Sequence, residues 1–214
     1  MKKLTILITA LLFGLTASLK AQDENDSRGK FHIGLKAGAN YSNVYDEQGD
    51  NFHSHAKFGF VGGGFIQIPI GKFIGIHPEV LFSQKGYQGY GNVNDPGTSY
   101  TYYRTTNFLD IPLLLAIKPS RHFTILAGPQ YSYLMSESDV FTSNTTASYQ
   151  EHDFKNDNIR KNILAGVVGF DINAAGFVFG GRYGFDLQNN NGDGTSTVPR
   201  YKNVWLQGTL GYRF

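Results

Sequence analysis

Apolar and polar residues alternate with a period of two in eight separate runs of this chain. Alternation of this kind predicts β-strands whose two faces meet different surroundings. The first run, 31–41, places Ile33 and Leu35 on one face and His32 and Lys36 on the other. The run over Asn162–Asp171 alternates least clearly, so its register cannot be read from the sequence. The chain is therefore predicted to be an all-β protein.

The connectors between these runs alternate strictly in length. Long connectors lie near Ser42–His55, Gly86–Tyr103, Ser136–Arg160 and Gln188–Tyr201, and short ones near Pro69–Lys72, Lys118–Arg121 and Asn173–Gly176. This order predicts an eight-stranded, up-and-down antiparallel meander with every long loop at one end. Transmembrane β-barrels of the bacterial outer membrane have this layout, with short periplasmic turns and long outer loops.

The first 21 residues are expected to lie outside the fold. A basic start at Met1–Lys3 precedes an apolar stretch, Leu4–Leu19, that is shorter than the ~20 residues of a membrane helix. These features predict a secretory signal over 1–21, followed by one domain over 22–214. Without the leader, 16 basic residues face 17 acidic ones, so charge gives no argument for a nucleic-acid partner. The chain has no cysteine, which excludes disulfides and thiolate metal sites.

The alternating strands are expected to cross a membrane as a closed barrel. Lipid offers no partner for backbone N–H and C=O groups, so strands span it only when no edge is left open. The polar face carries few charges and many glycines, and tyrosines gather near the ends of the runs, which favours apolar side chains pointing outward over a soluble barrel. Pro78, Pro112 and Pro129 fall inside predicted strands and predict bulges or missing rungs there.

Four segments resemble the PorT-like outer-membrane β-barrel family, whose members are often described as porin family proteins. They are Pro78–Gly86, Phe108–Leu115, Leu126–Pro129 with Tyr133-Leu134, and Gly181–Tyr183. Asp110 stands where that family more often has glutamate. The resemblance implies an eight-stranded barrel in the outer membrane of a Gram-negative bacterium, with no catalytic residues. One branch of the family is associated with protein secretion across that membrane.

Eight charged residues are predicted to point into the barrel. They are Lys36, Glu79, Lys85, Asp110, Asp171, Arg182, Asp186 and Arg213. An eight-stranded barrel is just wide enough for side chains to fill, and unpaired buried charges are costly. We therefore expect a structural ion network of Lys36, Glu79, Asp110, Asp171 and Arg182, in which Glu79 and Asp110 share Arg182 or Lys36. The alternative is a proton or ion path.

Other candidate sites are weaker. His53-Ser54-His55, near Asp50, lacks the partners of a metal site or a hydrolase triad. The stretch 189–195 resembles the start of a calcium loop, but Arg200 stands where the bidentate glutamate belongs. The predicted loop Ser136–Arg160 carries apolar aromatic residues suited to a protein partner, namely Phe141, Tyr149 and Phe154. No catalytic, cofactor-binding or metal-binding residue is predicted.

The final run places Leu210, Tyr212 and Phe214 on the outward face. This pattern resembles the signal that the outer-membrane assembly machinery reads, so Tyr212 and Phe214 are predicted to form it. The expected protein is a monomeric, non-enzymatic scaffold whose partners are outer-membrane lipid, the assembly machinery and a protein at the long loops. The alternatives are a narrow pore or passive transporter, or an accessory factor in protein secretion.

Overall fold

The computed structural model describes residues 26–45, 54–92, 99–143, 147–152, 159–190 and 201–214. The predicted leader, 1–21, lies outside these residues. A short 3-10 turn, Ser27–Gly29, precedes a set of antiparallel strands. The strands are β1 (His32–Tyr45), β2 (Ser54–Pro69), β3 (Ile74–Asn92), β4 (Ser99–Ile117), β5 (Phe123–Ser143), β6 (Ala147–His152), β7 (Asn162–Ala174), β8 (Phe177–Asp186) and β9 (Lys202–Arg213).

Eight of these strands close into a barrel. Each pairs with its neighbour in the order β1-β2-β3-β4-β5-β7-β8-β9, and β9 pairs back onto β1 from Gly34↔Arg213 to Tyr45↔Lys202. The predicted fold class is therefore confirmed. The additional strand β6 pairs with the outer part of β5, from Glu137↔His152 to Thr142↔Ala147. We call the end with the short connectors the turn end and the opposite end the loop end.

The two faces of the barrel wall are as predicted. Outward apolar side chains are widely exposed, for example Leu35 at 62% and Leu210 at 51%, whereas the inward Lys36 and Glu79 are 7% and 2% exposed. The outward apolar surface meets lipid acyl chains. The least certain run is also resolved, because β7 pairs with β5 from Phe123↔Ile172 to Tyr133↔Asn162 and places Phe170 outward.

The prolines interrupt the strand ladders without shifting them. Between β4 and β5, pairing stops after Pro112↔Gln130 and resumes at Leu115↔Ala127 in the same register around Pro129. Similar gaps flank Pro78 in β2–β3 and Pro112 in β3–β4. Proline has no N–H to donate, so missing rungs rather than bulges result. The prediction of bulges or missing rungs at the prolines is thus confirmed as missing rungs.

The predicted long loops are too long. β3 and β4 pair as far as Asn92↔Ser99, and β5 continues to Ser143 before β6 folds back on it. The segments predicted as loops over 86–103 and 136–160 are therefore partly strand. Near the loop end, both faces of a strand can meet water, so the alternation fades although tyrosine and threonine keep a high β-propensity.

The shortest connection is the two-residue turn between β7 and β8. Ala175 and Gly176 both have positive φ, at 47° and 89°. Two successive positive φ values define the hairpin turn whose twist matches that of the flanking strands. No helix in the described part of the chain is long and apolar enough to cross a membrane.

Candidate functional site: the charged lumen and its two ends

Four charged side chains from four strands form a cluster inside the barrel near the turn end. We call Lys36 (β1), Glu79 (β3), Asp171 (β7) and Arg182 (β8) the inner tetrad. Lys36 forms an ion pair with Glu79, and the Arg182 Nη2 lies 2.8 Å from Asp171 Oδ1 and 3.5 Å from Glu79 Oε1. Their side chains are at most 4% exposed. Two cations thus balance two carboxylates, with Arg182 joining both carboxylates across the lumen.

His77 extends the inner tetrad. Its Nε2 lies 3.4 Å from Glu79 Oε1 and its Nδ1 lies 3.9 Å from Asp171 Oδ2. Its ring also packs against Phe65 at a centroid distance of 5.2 Å. The tetrad is balanced in charge, and the His77 ring fills the space beside both of its carboxylates.

The predicted partner of Asp110 is wrong. Asp110 pairs with Lys85, whose Nζ lies 2.9 Å from Asp110 Oδ2, and not with Lys36 or Arg182. The register explains the difference, because Asp110 lies opposite Leu81 and further toward the loop end than Glu79. Lys85 Nζ also lies 3.7 Å from the centre of the Trp205 ring, a cation–π contact.

Asp186 occupies the same middle part of the lumen. Its Oδ2 accepts hydrogen bonds from the backbone N–H of Asn203, at 3.0 Å, and from the Asn203 side chain. Nearer the inner tetrad, the Asn40 amide donates to Ser83 Oγ at 3.0 Å and Gln207 donates to Asn40 Oδ1 at 3.1 Å. Polar side chains therefore cross the barrel in successive layers from one end to the other.

A further cluster near the loop end was missed by the sequence analysis. Arg104 Nε and Nη2 donate to the two carboxylate oxygens of Asp139 at 2.9 and 2.7 Å, and Nη2 lies 2.9 Å from Glu137 Oε1. Arg104 Nη1 donates to the Tyr201 hydroxyl at 2.8 Å, and the Tyr87 ring packs on the Tyr201 ring. We call Arg104, Glu137, Asp139 and Tyr201 the outer cluster.

A β-bulge creates the outer cluster. The β4–β5 register shifts between Asn107↔Ser136 and Phe108↔Leu134, which leaves Met135 as an extra residue in β5. Below the bulge the even-numbered residues of β5 point inward, and above it Glu137 and Asp139 do so. An extra residue in one strand reverses its faces. In the sequence, this bulge is indicated by a break in the alternation of apolar and polar residues after Met135.

The N-terminal segment lies across the turn end of the lumen. Lys118 Nζ donates to the Arg28 carbonyl at 2.9 Å, and Arg213 donates to Ser27 Oγ at 3.1 Å. Asp26 pairs with Arg28 at 2.8 Å and with Lys72 at 3.1 Å. Hydrogen bonds from Arg28 hold the pKa of the Asp26 carboxyl below its ordinary value.

The weaker candidates from the sequence are only partly described. Ser54 begins β2 and His55 is exposed beside it, while His53 and Asp50 lie outside the described residues. The calcium-like stretch lies outside them from 191 onward, as does Phe154. Within the described residues, no group of three or more His, Cys, Asp or Glu side chains could hold a metal ion.

The predicted assembly signal lies on the lipid-facing wall. Tyr212 and Phe214 are 44% and 56% exposed, and their rings contact each other edge to face at 5.3 Å. Tyr212 also contacts Phe177 of β8. Their placement among outward aromatics near the turn end agrees with an aromatic girdle. Their role in assembly remains a prediction.

A closed barrel with an apolar outer wall and a charged interior defines an outer-membrane β-barrel. The sequence profile of the outer membrane protein beta-barrel domain matches residues 20–191. The chain therefore belongs to this family, and it is an outer-membrane protein. A comparison with curated proteins found no match.

Solved structures with a similar fold share little sequence with this chain. Ail of Yersinia pestis, in complex with the heparin analogue sucrose octasulfate, is 14% identical, with a TM-score of 0.47, over 86% of this chain and 99% of that one. Neisserial surface protein A is 11% identical, with a TM-score of 0.45, over 86% and 97%. OprG of Pseudomonas aeruginosa is 12% identical, with a TM-score of 0.38, over 87% and 97%.

Proposed function

We propose that this protein is a non-enzymatic outer-membrane scaffold whose lumen is closed to steady conduction and whose loop end holds a projecting sheet for contact with a partner. The single observation that carries the proposal is the layering of paired charges through the lumen. Such a barrel provides a fixed platform, and function then resides in what the platform presents. A proton or ion path and a narrow pore are the competing hypotheses.

The buried pairs support a closed lumen. Arg182 reaches carboxylates from two other strands, and Lys85 is held between Asp110 and the Trp205 ring. An ion that passed through would have to displace these partners and leave charges unpaired in a low-dielectric interior, which costs several kcal/mol per charge. Each layer of pairs is therefore a barrier to permeation.

Planar-bilayer recording tests the closed lumen. The wild-type protein is expected to give no steady open channel. A variant in which all four residues of the inner tetrad are replaced by serine removes the charges and most of the side-chain volume, so it is expected to conduct more than wild type. A steady conductance of the wild-type protein would show a pore and overturn the proposal.

The projecting sheet supports the scaffold role. An outward row of hydrogen-bonded polar side chains crosses the wall where the apolar surface ends: Gln84 donates to Asn107 at 3.1 Å, and Asn107 donates to Ser136 at 2.9 Å. β5 and β6 continue beyond this row as a hairpin. Among the described residues β6 pairs with one strand, and such an edge suits an extended partner segment.

Single-cysteine labelling tests which end faces the outside. The chain contains no cysteine, so Glu151→Cys in β6 and Gly71→Cys in the first turn each introduce a unique thiol. With a membrane-impermeant maleimide on intact cells, the β6 thiol is expected to react. The turn thiol is expected to react only after permeabilisation. The reverse pattern would contradict the proposed orientation.

The PorT-like resemblance supports a second, finer candidate, an accessory role in protein secretion across the outer membrane of a Gram-negative bacterium. Three of the four resembling segments contain residues that the structure places in the lumen contacts, namely Glu79, Asp110 and Arg182. The secretome of a deletion strain, compared with the same strain carrying the gene, tests it. An unchanged secretome would remove this candidate and leave the scaffold proposal standing.

A further inference from the structure

The turn end carries a strongly one-sided charge. Its described residues, 26–32, 69–75, 117–124, 173–178 and 211–214, include six basic side chains and a single acidic one, Asp26. We call the basic set the turn-end collar; it consists of Arg28, Lys30, Lys72, Lys118, Arg121 and Arg213.

Three of the six collar cations have no ion pair within the described part of the chain. The carboxylate of Asp26 serves both Arg28 and Lys72. Within the described part of the chain, no carboxylate lies within ion-pair distance of Lys118, Arg121 or Arg213. These three donate instead to neutral groups, as Lys118 does to the Arg28 carbonyl. Lys118 is buried and Arg213 is half-buried at the mouth of the lumen, whereas Lys72 and Arg121 are exposed, so these last two are the cations that an external anion reaches directly.

The collar lies at the edge of the lipid-facing wall. Exposed apolar side chains surround it: Phe31, Ile70, Phe73, Phe123, Phe177 and Phe214, between 37% and 66% exposed. The Arg28 guanidinium lies 5.0 Å from the centre of the Phe73 ring, which joins the cationic and apolar parts. Aromatic girdles mark the depth at which headgroups begin. The exposed cations of the collar, Lys72 and Arg121, are therefore at headgroup level.

We propose that the turn-end collar binds the phosphate groups of anionic phospholipids in the leaflet that faces the turns. Guanidinium and ammonium groups are the usual partners of phosphate, and polybasic segments at a membrane surface are attracted to anionic lipids. A lipid satisfies both parts of the surface at once, since its acyl chains lie against the phenylalanines while its phosphate meets the cations. A soluble anion would contact only the cations.

Thermal unfolding in nanodiscs tests this proposal. Wild-type protein is compared in discs of phosphatidylcholine alone and in discs with an equimolar share of phosphatidylglycerol. The midpoint is expected to be higher in the anionic discs, and the difference is expected to vanish near 1 M salt, where the Debye length falls to ~3 Å. Equal midpoints in both discs at low salt would overturn the proposal.

Matched charge variants locate the effect. Lys72→Gln with Arg121→Gln removes two exposed cations from the collar, and Lys161→Gln with Lys202→Gln removes two from the loop end. The first variant is expected to lose a large part of the lipid-dependent shift, and the second to keep it. If both variants lose the lipid-dependent shift equally, the effect is one of total charge, and the proposal that the collar binds the lipid is wrong. Arg121→Gln alone serves if the double variant fails to fold.

A soluble anion distinguishes the source of the phosphate. Glycerol phosphate is added to phosphatidylcholine discs at the headgroup concentration of the anionic discs. No stabilisation is expected, because the soluble anion lacks acyl chains. If glycerol phosphate raises the midpoint as much as phosphatidylglycerol does, the collar is a site for a soluble anion and the lipid proposal is wrong.

Discussion

The inner tetrad and the outer cluster use the same kinds of side chain in opposite ways. In the inner tetrad, Lys36 and Arg182 face an equal number of carboxylates, with every side chain at most 4% exposed. In the outer cluster, Arg104 pairs with both Glu137 and Asp139, and its side chain is 14% exposed. Both clusters bury their carboxylates, but the inner tetrad buries its cations as well, whereas the guanidinium of Arg104 is partly exposed.

The difference follows from where each cluster lies. The inner tetrad is surrounded by strands whose outer faces meet lipid, so no water is available to a charge that loses its partner. The outer cluster lies beyond the outward polar row that includes Asn107, where water reaches the strands from outside the membrane. Burial therefore demands charge balance most strictly in the inner tetrad, where no member of the cluster has access to water.

The largest effect is expected from Glu79→Gln. This change leaves Lys36 and Arg182 against Asp171 alone, with one positive charge uncompensated in a dry interior. Removing one partner of a buried ion pair destabilises a protein by about 3–5 kcal/mol. Urea unfolding in detergent micelles, followed by the fluorescence of Trp205, measures the loss, because the chain has one tryptophan and it lies inside the barrel.

A double variant is the control for this prediction. Lys36→Met combined with Glu79→Met removes one charge of each sign and leaves Arg182 paired with Asp171. It is expected to destabilise the barrel less than Glu79→Gln, because apolar replacement of a whole buried pair is often neutral. If Glu79→Gln unfolds at the same urea concentration as the wild-type protein, charge balance does not hold the inner tetrad together.

The next largest effect is expected from Arg104→Met at the loop end. Two neighbouring carboxylates then lose their shared cation, and Tyr201 loses a donor. Because water has partial access, the cost is expected to be about 2 kcal/mol, in the range of a hydrogen bond to a charged group. The same urea measurement checks this value. A loss as large as that of Glu79→Gln would contradict the difference drawn between the two regions.

The faces of the strands could be predicted from the sequence, but the partners of their charges could not. Lys36 and Arg182 were predicted inward because lipid outside and a polar lumen inside impose a period of two on each strand. Which charges meet depends on the relative height of neighbouring strands, which alternation within one strand does not encode. Asp110 was therefore given the wrong partner. Glu137 was missed because the bulge at Met135 reverses the faces of β5.

A smaller effect is expected from Glu137→Gln. Asp139 keeps both of its hydrogen bonds from Arg104, so the variant removes one of the two carboxylates that share this guanidinium and leaves the other paired. The loss of the ion pair is offset by relief of like-charge repulsion between the two carboxylates, and the net loss of stability is expected to be about 1 kcal/mol, the net value of an ordinary hydrogen bond. Asp139→Asn is the matched variant, and it is expected to cost more, because Asp139 is held by two oxygens. The opposite ranking in urea would contradict this division of roles.

The smallest effect is expected at the half-buried carboxylate of Asp26, which extends the comparison to the rim of the barrel. Its pKa is lowered by hydrogen bonds from Arg28, so the folded protein binds a proton there less readily than the unfolded chain does. The stability that this carboxylate contributes is complete above the ordinary carboxyl pKa and is lost as the pH falls through the lowered pKa. The N-terminal segment is thus expected to stay in place at pH values where an ordinary carboxylate is already protonated.

Gly29→Cys, an exposed position with open space around it, reports this through its rate of disulfide exchange with a reagent that stays reactive in acid. The rate is expected to remain slow in mild acid and to be faster at every pH once Asp26→Asn is added. If the exchange rate rises at the ordinary carboxyl pKa, or if Asp26→Asn leaves it unchanged, Asp26 does not hold the N-terminal segment. Only the ion pairs buried in the lumen would then contribute to the stability of the barrel.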